Sequence, residues 1–162
     1  MKIWIVIGLI CALVVGFFIL QHIFHTRKIK AQQQYEHVVT RAFQAGLNQV
    51  QTPNFTGKDI DLAQVQVLHV AQVWGLNVVV YGYALPLDPD SLAVNEVIKI
   101  KSFLVEALNH YGAEENLPHA DNTAPFVISD IWSREHTLHI EIAYVINAST
   151  EQYLHDIKKI DK

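Results

Sequence analysis

The sequence predicts an α+β protein: an N-terminal transmembrane helix followed by a small domain with an antiparallel sheet of about four strands packed by helices, arranged as two α-β-β units. Three observations predict it. Ile3 to Leu20 contains no charged residue. Toward the other end, Leu138, Ile140, Ile142, Tyr144 and Ile146 alternate with His139, Glu141 and Ala143, the period of a strand with one packed face. Between them, runs of helical spacing twice precede runs rich in β-branched residues. A chain of 162 residues leaves room for one domain once an anchor is subtracted.

From Ile3 to Phe24 only Gln21 and His22 are strongly polar. At about 1.5 Å per residue this stretch matches the roughly 30 Å of a bilayer core. A cleaved signal peptide would carry an apolar run of about 7 to 15 residues ending in a small-x-small site. Gly16-Phe17-Phe18 and Leu20-Gln21-His22 do not supply that site. Cys11, the single cysteine, lacks the small preceding residue that lipoprotein processing needs and reads as a lipid-facing thiol. The expected organisation is an anchor over 1–25, a juxtamembrane helix over 26–51 and an α+β domain over 52–162. The lipid bilayer is then a partner through Ile3 to Phe24.

The net charge of −4 conceals an asymmetry. Residues 1–34 hold Lys2, Arg27, Lys28 and Lys30 and no acid, so 8 of the 12 Lys and Arg and all 16 Asp and Glu lie beyond them. Nucleic-acid binding requires clustered cations facing phosphate, and an acidic domain excludes it as a partner class. Arg27, Lys28 and Lys30 read as stop-transfer charges that also suit contact with anionic lipid headgroups. Because these three follow the anchor while only Lys2 and the terminal amine precede it, the expected topology places the domain on the cytoplasmic side. The expected setting is a single-pass protein of a bacterial plasma membrane.

Tyr35, Val38, Val39, Ala42, Phe43, Leu47 and Val50 recur at helical spacing, and Thr52-Pro53-Asn54-Phe55-Thr56-Gly57 breaks that helix with a turn. Val65 to Trp74 and Val78 to Tyr83 read as two strands joined through Gly75-Leu76-Asn77. Asp88-Pro89 then caps a helix whose apolar stripe is Ala93, Val97, Ile100, Leu104, Leu108 and Tyr111, closed by Gly112. Phe126 to Trp132 and Leu138 to Ile146 form a hairpin around Ser133-Arg134-Glu135-His136. A short helix, capped by Ser149 or Thr150, ends the chain with Tyr153, Leu154 and Ile157 on its apolar side.

A weak internal repeat links these elements. Phe43, Leu47-Asn48 and Trp74 precede or end the first set as Phe103, Leu108-Asn109 and Trp132 do the second.

Motifs that carry chemistry do not emerge. The nine histidines are scattered. His136, His139 and Glu141 form the most ligand-like group, yet a wetted strand face explains them equally well. Gly-rich phosphate loops, nucleophile elbows and His-Glu-x-x-His helices are missing from the sequence. No catalytic, cofactor or metal residue is therefore assigned. Tyr81 and Tyr83 share one strand face, where aromatics are usually core; if exposed, they form the candidate contact patch together with His139 and Glu141. The sequons Asn54-Phe55-Thr56 and Asn147-Ala148-Ser149 matter only in a glycosylating pathway. The expectation, reached mainly by exclusion, is a membrane-tethered protein-interaction or assembly domain without catalytic activity. Its partner would be another membrane or membrane-associated protein. The competing expectation is an exported, membrane-anchored domain that binds a small ligand, peptide or envelope component.

Overall fold

A computed structural model of the chain describes the backbone of residues 2–69, 77–87, 92–120 and 123–160, with the side chains of 2–12, 62, 69 and 160 outside the description. The chain divides into two compact units, Met1–Gln34 and Tyr35–Lys162. Helix α1 is Lys2–Leu47. In the first unit the described apolar side chains of Leu13, Phe17, Phe18, Ile19, Leu20 and Phe24 stand exposed, between 55% and 67%. Among the described residues no helix is long and apolar enough to cross a membrane. The part of the expected anchor from Ile3 to residue 12 lies outside the described side chains.

The second unit begins with the C-terminal part of α1. A two-residue hairpin of β1 (Gln51–Thr52) and β2 (Phe55–Thr56) follows, then 3-10 turns at Gly57–Asp59 and Leu62–Gln64. Next come β3 (Gln66–His69), β4 (Val80–Pro86), α2 (Val94–Glu114), β5 (Phe126–Arg134), β6 (Thr137–Tyr144) and α3 (Ala148–Ile160). The main sheet is antiparallel throughout, in the order β3-β4-β6-β5.

Period-2 alternation gives this sheet two unlike faces. Tyr81, Tyr83 and Leu85 on β4 and Leu138, Ile140, Ile142 and Tyr144 on β6 point inward. They meet Val39, Ala42, Phe43 and Leu47 of α1 and Ile100, Leu104 and Leu108 of α2 in one buried core. Phe43 stacks on Tyr83 at 4.2 Å, Tyr35 meets Tyr144 edge-on at 6.0 Å, and Thr40 Oγ1 lies 3.1 Å from the Tyr83 hydroxyl. Burying each such side chain contributes about 1.5–3 kcal/mol.

Helices α1 and α2 come together where side chains are small: a Cβ built on Gly46 would lie 3.6 Å from the Ala107 Cβ and 3.5 Å from Leu104. An offset of 61 residues carries 46 to 107, and the same offset carries 81 to 142. Tyr81 pairs with Ile142 across the β4–β6 seam at the middle of the sheet. Phe43 and Leu47 map by that offset onto Leu104 and Leu108, which are buried, whereas Phe103 is 46% exposed.

Several element ends differ from the sequence reading. Of the expected strand Val65 to Trp74, β3 accounts for Gln66–His69, and Trp74 with the Gly75-Leu76 turn lies outside the described residues. Asp88 to Ser91 also lie outside; α2 begins at Val94 after Ala93, which makes no side-chain cap. Gly112 is inside α2, not beyond its end. The helix ends at Glu114 and is closed by Asn116 (φ 49) beyond it, with Leu117 N–H donating to Gly112 O at 2.9 Å and Asn116 N–H to Ala113 O at 3.2 Å. These are the two bonds of a Schellman close. Gly112 serves packing, since a Cβ there would stand 2.5 Å from Pro125 Cγ.

The β5–β6 hairpin turns on two residues, Glu135 and His136, both at positive φ (47° and 63°). That backbone matches the strand twist although neither residue is glycine. Helix α3 is capped by Asn147, not by Ser149 or Thr150: its Oδ1 accepts Thr150 N–H at 2.9 Å and the Thr150 hydroxyl at 3.1 Å.

Candidate functional site

Among the described residues, α3 covers one end of the outer sheet face. Tyr153 and Leu154 of α3 pack there on Val78, Val80, Ala143 and Val145, with Val127 and Ile157 beside them. The helix is held in place because Thr150 Oγ1 accepts Val79 N–H at 3.0 Å and Asn147 Nδ2 donates to Asn77 O at 2.9 Å. Beyond it lies an open stretch. Leu68, Gly82, Glu141 and Asp130 are consecutive cross-strand neighbours, and the next row is Gln66, Ala84, His139 and Trp132.

A β-bulge determines what this face carries. The β5–β6 register shifts between Ile128 and Asp130, so Ile128 opposes Ile142 while Asp130 opposes Glu141. Before the bulge Phe126 and Ile128 point into the core; after it Ile131 packs against the core and Asp130 and Trp132 face outward. Trp132, 36% exposed, lies flat on His139 with ring centroids 4.9 Å apart and planes within 7°. Leu68, 48% exposed, leans over the floor: a Cβ on Gly82 would meet Leu68 Cβ at 3.3 Å. The hollow among Leu68, Gly82, Trp132, His139 and Glu141 measures about 10 Å³. That is about the space of one water molecule, too little for a small-molecule ligand.

Glu141 is half-buried and held from two sides. The Ser129 hydroxyl lies 3.4 Å from Glu141 Oε2 and 3.3 Å from its backbone carbonyl, and the Tyr153 hydroxyl hydrogen-bonds the carboxylate from α3. Burial pushes the Glu141 carboxyl above the usual range, the Asp130 charge opposite adds to this, and the two hydroxyls oppose it. Burial beside that carboxylate pushes the Tyr153 phenol up to about 12. Among the described residues no lysine or arginine forms an ion pair with Asp130 or Glu141.

The sequence-derived patch is divided by the sheet. His139 and Glu141 are on the open face, but Tyr81 and Tyr83 are fully buried on the other, where desolvation holds both phenols above their ordinary range. Arg27, Lys28 and Lys30 are exposed on α1 in the first unit. Among the described residues no three His, Cys, Asp or Glu side chains converge as metal ligands. Of the sequons, Asn54 sits in the β1–β2 turn donating to Glu96 at 3.0 Å, and Asn147 Nδ2 donates to Asn77 O while its Oδ1 caps α3.

The sequence-derived patch left out Asp130, Trp132 and Leu68. One signal pointed to the first two: unbroken alternation from Phe126 and Ile128 would drive Asp130 into the core without a partner, so a break in parity had to intervene. No family model matches the chain, and no curated protein or solved structure matches it either.

Proposed function

We propose that this chain is a membrane-tethered interaction domain without catalytic activity, which engages another membrane-associated protein through the open half of its outer sheet face. The observation that carries this is the exposure of Leu68 (48%) and Trp132 (36%) on an outer sheet face whose other end is capped by α3. Exposed large apolar side chains set beside polar groups that are already held in place are the usual makings of a contact surface. The tether is supported by the charge-free run Ile3 to Leu20 and the basic residues that follow it. Cytoplasmic placement follows from the same flanking charges.

The coincidence of one offset at the helix crossing and at the sheet centre supports two α-β-β units built on a common plan. Their last strands, β4 and β6, meet in the middle and their first strands, β3 and β5, lie at the edges. On the open face, the small-ligand reading is disfavoured by the size of the hollow above Gly82.

The test is site-specific photocrosslinking in native membranes, with the crosslinker at 132 on the open face and at 58 on an exposed turn as control. A discrete protein adduct from 132 alone is expected. Equal background from both positions overturns the assignment of this face.

A further inference from the structure

We infer that the open face takes a cationic side chain of the partner, an arginine above all, seated on the Trp132 ring and paired with the Asp130 and Glu141 carboxylates. The inference rests on the interaction reading above and names the chemistry of its partner.

Three observations converge. Asp130 and Glu141 are direct cross-strand neighbours. Like charges so placed oppose each other, and a cation between them relieves that opposition. Trp132 is held with its ring parallel to His139 and stays 36% exposed, as a platform for a guanidinium requires. Along a strand, residues two apart on one face are separated by about 6.5–7 Å, so a guanidinium lying on Trp132 reaches the carboxylate of Asp130. Among the outward residues of the four strands the only Lys or Arg is Arg134, which is joined to Glu135 at 3.2 Å. The face is therefore acidic, in a second unit that holds all 16 acids of the chain.

Approach over the face is favoured over strand addition at the β5 edge. The bulge at Ser129 interrupts that edge, and Asp130 Oδ1 already accepts Ile131 N–H at 2.8 Å. The shallow hollow also suits a stacked side chain lying on the surface better than one inserted deeply.

The test titrates the full chain in zwitterionic detergent micelles with acetyl-Gly-Arg-Gly-Arg-Gly-amide and with the corresponding glutamate peptide, followed by amide and indole NMR resonances. The arginine peptide should shift the Trp132 indole and the amides of Asp130 and Glu141 saturably, and less so as salt rises. Asp130→Asn should weaken it about tenfold, the loss of one charge-assisted contact. The glutamate peptide should leave those resonances in place. Absent shifts at these three residues, equal response to both peptides, or undiminished affinity in Asp130→Asn each overturn the inference. If they do so while crosslinking from 132 still captures a discrete partner, the interaction surface stands and its partner is not cationic. Loss of both removes the surface as well.

Discussion

Trp132 and His139 lie flat against each other on the outer face of the sheet, while Tyr83, adjacent to His139's cross-strand partner Ala84, is sealed beneath Phe43 on the inner face. The sheet thus separates a part-exposed ring on β5 from a fully buried one on β4.

The two rings should respond differently to truncation. Trp132→Ala gives up one stacking contact at a part-exposed site and should lower stability by about 1 kcal/mol. Tyr83→Ala leaves a cavity below the sheet and should lower it by about 3–5 kcal/mol. Urea unfolding of the full chain in mild detergent compares them directly. Equal losses would mean that the outer face is covered as fully as the inner one.

Glu141 predicts a pH dependence. Its folded carboxyl titrates above the unfolded one, so the folded state binds the extra proton. Its contribution is therefore favourable at pH below the unfolded carboxylate range and is lost as pH rises through the folded value. Glu141→Gln removes the charge while keeping the shape and the contact with Tyr153. The variant should be more stable than the parent at pH 7, by under about 1 kcal/mol because the group is half in solvent. The difference should vanish near pH 4. A parent that outlasts the variant at pH 7 would show that Glu141 already has a cationic partner in the folded chain.

The strand period made the inner face of β6 legible, because Leu138 through Tyr144 admit only one register that buries them. The helical stripe Ile100, Leu104, Leu108 was legible for the same reason. What stayed hidden was governed by backbone rather than by side-chain pattern. The turn at Glu135-His136 adopts positive φ without glycine, and α2 runs on to Glu114, closed by Asn116, where Gly112 was the stronger cue. Asn147 caps α3 because its amide also reaches Asn77, 70 positions earlier in the chain, a contact invisible to local reading. The candidate site suffered most. Tyr81 and Tyr83 were grouped with His139 and Glu141, but in the β4–β6 register Tyr83 opposes Ile140 and Gly82 opposes Glu141, which puts the tyrosines with the isoleucines.

The proposed anchor has its own test. Val14 lies in the charge-free run, and arginine there should raise the insertion free energy by about 2.5–3.5 kcal/mol. Carbonate extraction should then release a fraction of a chain that otherwise stays with the membrane. Undiminished resistance to extraction would remove the spanning assignment of Ile3 to Phe24.

The bulge at Ser129 carries the most structural consequence of any single residue on β5, since it alone converts an inward-pointing parity into an outward one. Deleting Ser129 joins Ile128 directly to Asp130, so the pairs Ile128–Ile142 and Asp130–Glu141 become consecutive rungs of one ladder. Plain alternation then keeps Phe126, Ile128 and Ile131 inward and Asp130 and Trp132 outward. The deletion, like Ser129→Ala, loses the 3.4 Å contact to Glu141, and both should stay within about 1 kcal/mol of the parent in urea unfolding. If Asp130 and Trp132 instead pointed inward in the parent, the same deletion would turn them out and drive Ile131 into their place, a reversal of faces that should cost several kcal/mol. A large loss in the deletion variant beside a small one in Ser129→Ala would therefore overturn the outward placement of Asp130 and Trp132.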